Sequence, residues 1–176
     1  MYLSRKNMSQ IMEAVIAAEQ VEEDVTRSTY EIERGKPMPS KNHSRLQIRL
    51  GSEILVHYED QFDVRSEQSL APPNPPLVPD LSIFPAEISN WQQDEIKESN
   101  VPLTVIEIVS PSQSDTELTA KAKEYFAAGT KSYWLVQPLF RTVVILQPNA
   151  DELVFHNDVL TDPTNAISID LKKVFR

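Results

Sequence analysis

Two acidic residues, Asp80 and Glu107, are the side chains best placed in this sequence to do chemistry. Glu107 lies within the apolar run from Leu103 to Val109, and strand alternation puts it on the same face as its apolar neighbours. An ionised carboxylate on such a face is costly to bury unless it is paired or coordinates a cation. A strand-end glutamate that reaches solvent or an arginine explains Glu107 equally well.

The other candidate groups have ordinary explanations when each is taken alone. Asp80 follows Pro79 and opens an apolar run, and turn chemistry is the usual reason for an aspartate beside a proline. Lys121 borders the apolar stripe of a predicted helix, while Lys123 is turned further from that stripe. For either lysine, a solvated head above an apolar stem is the common arrangement.

The elements that position these residues follow from hydrophobic periodicity. Apolar side chains recur every four residues over 42–58, which predicts a helix. Residues 103–109 predict a central strand that is apolar on both faces. A second helix is predicted over 114–128, ending at Gly129, and a strand over 133–136 completes a strand–helix–strand unit.

The remaining elements are shorter. A helix is predicted over 9–20, the proline-rich segment 71–79 is predicted to be an ordered loop, and the end of the chain is apolar enough to dock on the domain. Further strands are predicted at 29–33, 62–65, 81–84, 142–146 and 153–156.

Composition excludes several classes of site. The 176 residues suit one domain, predicted as 27–176 after a helical extension, 1–26. The absence of cysteine excludes disulfides, thiolate zinc sites and thiol nucleophiles. Three glycines are too few for a glycine-rich phosphate loop, and the three histidines share no zinc-ligand spacing. The carboxylates remain as the candidate catalytic groups.

Charge and hydropathy bear on partners and location. The net charge of −9 argues against a protein that holds nucleic acid by its overall field. Residues 27–49 carry six bases against two acids, which suits either phosphates or a solvated helix face. No run approaches the roughly 20 apolar residues of a membrane span, and no secretory signal is recognisable, so a cytoplasmic location without a membrane partner is expected.

The order of the candidate residues adds information that none carries alone. A Pro-Asp pair opens one predicted strand, a glutamate lies inside the next, and a lysine lies on the helix that follows. In this order the chain resembles the PD-(D/E)XK nuclease superfamily and, more closely, its restriction-endonuclease branch known as the Uma family. The resemblance covers roughly residues 29–176. Its stretches are Tyr30-Glu31-Ile32-Glu33-Arg34-Gly35 with His43, Pro79-Asp80, Val105-Ile106-Glu107-Ile108-Val109-Ser110-Pro111-Ser112, Lys121 leading to Tyr125, Ala128-Gly129 and Tyr133-Trp134.

The resemblance implies an α/β fold with a restriction-endonuclease-like core, a mixed β-sheet flanked by helices. It implies that Asp80, Glu107 and the backbone carbonyl of Ile108 hold one Mg²⁺, with Mn²⁺ as a substitute. Val109 stands where the superfamily motif has its lysine. The Uma branch moves that lysine to the following helix, where Lys121 matches it.

Three further residues enter as supporting candidates. Glu31 and His43 match positions typical of the branch, with Glu31 a candidate to support the metal site and His43 equally suited to capping a helix. Lys123 is the alternative lysine on the same helix as Lys121.

These features predict a Mg²⁺-dependent endonuclease that hydrolyses phosphodiesters of nucleic acid, DNA rather than RNA, and a homodimer would suit the cutting of two strands. The alternative is a catalytically silent binding or assembly module with the nuclease fold, favoured by the acidic net charge and the absence of a lysine at Val109. A hydrolase of small phosphate esters is a third hypothesis, and no pocket signature supports it.

Overall fold

A computed structural model of the chain describes residues 38–72, 74, 76–110 and 115–176. All of these except Met38 belong to one compact unit, Pro39–Arg176. The predicted helix over 9–20, the predicted strand over 29–33, Glu31, and the division between residues 26 and 27 lie outside the described residues. They therefore stay predictions.

The described part of the chain contains three helices and ten strands. The helices are α1 (Lys41–Tyr58), α2 (Asp115–Ala128) and α3 (Leu171–Val174). The strands are β1 (Phe62–Ser66), β2 (Ser69–Leu70), β3 (Leu81–Pro85), β4 (Lys97–Glu98), β5 (Thr104–Ile108), β6 (Ser132–Gln137), β7 (Thr142–Leu146), β8 (Leu153–His156), β9 (Val159–Thr161) and β10 (Ser168–Asp170).

Six of the described strands form the main sheet, in the order β1-β3-β5-β6-β7-β8. Strands β5 and β6 pair in parallel, whereas the other neighbours in this sheet pair antiparallel. A parallel pair needs a crossover connection, and α2 provides it. The remaining described strands form two small sheets, β2 with β4 and β9 with β10. The predicted mixed sheet flanked by helices is confirmed.

Helix α1 forms because its sequence supplies both a cap and an apolar stripe. The Ser40 side chain accepts a hydrogen bond from the His43 backbone N–H at 3.3 Å, which caps the first turn. Leu46, Leu50 and Ile54 are buried along one side of the helix and join the core. Full burial of each such side chain stabilises the fold by about 1.5–3 kcal/mol. The capped first turn thereby holds His43 at a fixed place beside the sheet.

The apolar residues of the sheet divide between two clusters because side chains alternate along each strand. Ile106 and Ile108 of β5 join the cluster that contains the α1 stripe. Val105 joins the cluster that contains Tyr125 of α2 and Tyr133 of β6. Strand β5 is therefore covered on both faces, as its sequence predicts.

Helix α2 ends at Gly129, which has a φ of +115°. The Gly129 N–H donates to the Tyr125 carbonyl at 3.2 Å and closes the last turn. This conformation is strained for a residue with a side chain, so glycine is the residue that the turn requires. No helix in the described part of the chain is long and apolar enough to cross a membrane.

Candidate active site

Asp80 and Glu107 lie at one end of the sheet, on neighbouring strands. Strand β3 pairs antiparallel with β5 so that Leu81 is opposite Ile106, which makes Asp80 and Glu107 the next pair outward. Directly opposed residues of antiparallel strands point to the same side of a sheet. Each acid is only 1% exposed. The fold thus brings together two carboxylates that are far apart in the chain.

Asp80 is fixed by contacts from two elements. Its Oδ2 accepts hydrogen bonds from the Ile108 backbone N–H at 2.7 Å and from His43 Nε2 at 2.9 Å. An ionised carboxylate only accepts, so the histidine carries its proton on Nε2 in this contact. The Gln47 side-chain amide donates to the Asp80 carbonyl oxygen at 3.0 Å. Helix α1 and strand β5 therefore set the orientation of Asp80.

Glu107 is contacted by two residues of helix α2. The Tyr125 hydroxyl donates to Glu107 Oε1 at 3.2 Å, and Lys121 Nζ lies 3.5 Å from the same oxygen. These two residues are four positions apart and so share one face of the helix. The Lys121 side chain is 25% exposed, whereas Glu107 is almost fully buried. Lys121 therefore connects the buried acid with solvent.

The two lysines of α2 have different surroundings. Lys123 is exposed and borders a shallow depression together with Thr116, Thr119 and Ala120. It belongs to no ion pair with the described acids. The structure brings Lys121, and not Lys123, to the carboxylates.

Two buried tyrosine hydroxyls respond to the field of the acids. Burial, assisted by the negative charge of Glu107 and Asp80, raises the pKa of Tyr125 and that of Tyr133 far above the ordinary value of 10.0. Both hydroxyls therefore stay protonated, and that of Tyr125 acts as a neutral donor to Glu107. Because each feels both acids, the two carboxylates share one electrostatic environment.

The similarity to known proteins agrees with this geometry. The model of the Uma2 family, described as "Putative restriction endonuclease", matches residues 17–172 of the chain. This chain belongs to that family. Comparison with curated proteins found no match.

Among solved structures, the Uma2-family chain is similar to a "putative nuclease belonging to DUF820" from Anabaena variabilis ATCC 29413. The two are 27% identical, and the match covers 79% of this chain and 83% of the other, with a TM-score of 0.66. Family and structural neighbour together support a nuclease.

The donor set of this Uma2-family site fits a hard divalent cation. Mg²⁺ typically takes one or two carboxylates from a protein and fills its other positions with waters and substrate phosphate. Asp80 and Glu107 supply two negative charges and Lys121 one positive charge, which leaves an excess of one negative charge among the three. Within the described residues, no group of three or more His, Cys, Asp or Glu could hold a metal. A cation on this pair would have to take its other ligands from backbone carbonyls, water and substrate.

Sequence reasoning missed several contacts of this site. Tyr125 bonds to Glu107, and Gln47 bonds to the Asp80 backbone, yet neither was a candidate. A signal existed for both, since Tyr125 lies four residues after Lys121 and Gln47 four residues after His43. On a helix, that spacing places each beside a residue that was a candidate.

Proposed function

We propose that this Uma2-family chain is a Mg²⁺-dependent endonuclease that hydrolyses phosphodiester bonds of nucleic acid, with DNA as the substrate and Mn²⁺ able to replace Mg²⁺. The observation that carries the proposal is the proximity of Asp80 and Glu107 at one end of the sheet, with Lys121 on Glu107. This arrangement suits the PD-(D/E)XK pattern, with the lysine moved onto the helix.

Each residue has a distinct task in this proposal. Asp80 and Glu107 would hold the ion, together with the carbonyl of Ile108, whose N–H donates to Asp80. When bound, the ion polarises a phosphoryl oxygen and makes a water more acidic. Lys121 Nζ orients the attacking water and stabilises the negative charge that develops on the phosphate.

The surrounding residues keep the acids in place. His43 and the Ile108 N–H fix Asp80 Oδ2, while the Tyr125 hydroxyl fixes Glu107 Oε1. A ligand that is already oriented loses little entropy when it engages the ion and substrate. His43, Tyr125 and Gln47 therefore act as positioning residues.

Cleavage assays with conservative variants test the proposal. Purified protein is incubated with supercoiled DNA, linear DNA and RNA in the presence of Mg²⁺ or Mn²⁺. Asp80→Asn and Glu107→Gln keep the side-chain shape but remove the charge, and each is expected to lower the rate by at least about 10²-fold. Glu152→Gln, at an exposed site, is the matched control. Equal cleavage by wild type and both acid variants would refute the site.

A catalytically silent nuclease-fold module is the second candidate, and one observation favours it. His43 and Lys121 already engage Asp80 and Glu107, so the acids have protein partners even without a cation. Thermal unfolding with increasing Mg²⁺ or Mn²⁺ separates the two functions. A resident metal raises the melting temperature with its concentration. A silent module shows no such rise.

Assembly and location follow from the proposed substrate. A symmetric homodimer would present two copies of the site to the two strands of a duplex. Light scattering with and without DNA measures this. A cellular DNA substrate would also place the enzyme in the cytoplasm, with residues 1–26 as an extension before the catalytic domain.

A further inference from the structure

A groove of about 690 Å³ lies at the end of the sheet where β5 and β6 finish, and the described residues that line it do not include Asp80, Glu107 or Lys121. Ser40 and Asn42, at the start of α1, line one part of it and lie next in sequence to the segment that carries His43. Val109 and Ser110 line another part and directly follow β5, which carries Glu107. The groove is therefore built from the same segments as the site.

The turn between β6 and β7, residues 138–141, forms a further wall of the groove. Because β5 and β6 are parallel, this turn and residues 109–110 leave the sheet at the same end. The wall thus stands beside the chain segment that follows Glu107.

The charge of the groove is opposite to that of the whole chain. Among the described residues, its lining includes three arginines, Arg45, Arg141 and Arg176, and no aspartate or glutamate. The chain has a net charge of −9. Arg45 and Arg141 are exposed and form no ion pair with the described acids. Exposed arginines on a concave surface raise the local concentration of a polyanion.

The turn also presents apolar side chains and an unusual backbone. Leu139 is 84% exposed and Phe140 is 60% exposed. Arg141 has a φ of +50°, a conformation that glycine or asparagine adopts with less strain. A charged residue held in that conformation next to an exposed aromatic ring suits a binding surface.

We propose that this groove, which we call the arginine groove, binds the strand of the nucleic acid beside the bond to be cut. Arg45 and Arg141 contact backbone phosphates, and Phe140 stacks on an unpaired base. The assignment of the polyanion as nucleic acid rests on the proposed function. Beyond the proposed function, the arginine groove specifies the path of the bound strand. It also implies a preference for substrates with unpaired bases.

Binding measurements without metal test the groove separately from cleavage. Fluorescence anisotropy in EDTA compares a labelled single strand with a duplex of the same sequence, over a range of salt. The Arg45→Ala/Arg141→Ala double variant removes two phosphate contacts, so the slope of log affinity against log salt should shrink by about 1.4 on the single strand and about 1.8 on the duplex. Lys97→Ala/Lys131→Ala removes two exposed charges outside the groove lining and should keep the wild-type slope.

Phe140→Ala tests the stacking contact. It should weaken binding of the single strand about tenfold and leave the salt slope unchanged. An equal loss on single strand and duplex would overturn the stacking assignment. A wild-type salt slope in a folded arginine double variant would overturn the groove itself.

The groove and the catalytic site can fail independently. If Asp80→Asn and Glu107→Gln still cleave while the groove variants lose affinity, the nuclease site is wrong and the groove is supported. If cleavage depends on the acids while the groove variants bind like wild type, the groove is wrong and the nuclease site is supported.

Discussion

Lys121→Met separates the catalytic and structural contributions of this lysine. Lys121 Nζ lies 3.5 Å from Glu107 Oε1, and methionine keeps much of the apolar stem while it removes the charge. The substitution removes one positively charged partner from a carboxylate that is 1% exposed. Stability without metal and cleavage with metal should both fall, whereas stabilisation by metal should grow.

The size of the stability loss follows from burial. Breaking a fully buried ion pair costs about 3–5 kcal/mol, whereas exposed pairs contribute about 0–1 kcal/mol. The Lys121 side chain is 25% exposed, so solvent screens it and a loss of about 1–2 kcal/mol is expected. For a chain of this length, that lowers the melting temperature by roughly 2–8 °C.

The effect of metal should have the opposite sign. Asp80, Glu107 and Lys121 together carry one negative charge, and the variant carries two because the lysine charge is gone. Mg²⁺ should therefore raise the melting temperature of the variant more than that of wild type. Cleavage should nevertheless fall by about 10²–10³-fold, since the ammonium group that would help to stabilise the developing phosphate charge is gone.

Differential scanning fluorimetry with and without Mg²⁺, combined with a cleavage assay, measures all three quantities. Lys123→Met lies two residues away on the same helix, at an exposed site, and serves as the comparison. A smaller metal-induced shift in Lys121→Met than in wild type would refute the charge argument. Loss of cleavage in Lys123→Met alone would transfer the catalytic role to that lysine.

Three further predictions concern buried polar groups. Tyr125→Phe removes the hydrogen bond to Glu107 and should lower the free energy of unfolding by about 1–2 kcal/mol in denaturant titration, with a smaller loss of cleavage than Glu107→Gln. The pKa values of Tyr125 and Tyr133 are raised in the folded state, so the unfolded chain releases these protons at lower pH than the folded chain does. The contribution of the two tyrosines to the free energy of unfolding is therefore complete below about pH 10 and is lost at higher pH. Urea midpoints should fall above that pH, and less steeply in Tyr125→Phe. Asp162→Ala removes the acceptor at 2.7 Å of the buried Trp134 Nε1–H, which keeps only Ser132 Oγ at 3.1 Å, and it also removes the acceptor of Thr164 and Asn165. It should cost about 2–4 kcal/mol by the same titration, whereas an unchanged midpoint would contradict these contacts.

The sequence was sufficient for elements whose pattern is local. The four-residue apolar period over 42–58 predicted a helix that the structure places at Lys41–Tyr58. The run over 103–109 predicted the central strand Thr104–Ile108. Both patterns are strong because each element buries a complete stripe or both of its faces.

Elements that depend on distant partners were not predictable in the same way. Strands β2 and β4 contain two residues each and exist because they pair with each other. The proline-rich loop and β3 lie between them in the sequence. The buried Asp162 accepts hydrogen bonds from Trp134, Thr164 and Asn165, which holds the chain before β10 against the sheet. No periodicity reports such contacts, since they arise only when register and loop geometry are set.

The candidate site lies between these two cases. The order of Asp80, Glu107 and Lys121 along the chain predicted that they share a site, and the fold places them in contact or on opposed positions. Tyr125 and Gln47, which help to orient the acids, were missed because their contacts depend on side-chain direction, whereas His43 was a supporting candidate. Pattern therefore identifies which residues meet, whereas the structure identifies how each is held.

Basic residues within the segment 27–49 have different roles in the structure, although composition counts them together. Arg49 donates to the backbone carbonyls of Lys173 and Val174, so it ties α1 to α3 and is not directed to a phosphate. Arg45, one turn earlier, lines the arginine groove instead. The two arginines contribute equally to the local charge and yet have different roles.

This division also resolves the conflict between an acidic chain and a polyanionic substrate. Charges are screened over about 8–10 Å in physiological salt, so a phosphate in the groove responds mainly to the groups around it. The charged side chains among the described lining residues are arginines, although the chain as a whole carries −9. In the proposed function, a divalent ion would offset the charge of the acids at the site. An acidic net charge therefore excludes binding of nucleic acid by the overall electrostatic field. It is compatible with a nuclease whose arginines lie along the path of the bound nucleic-acid strand.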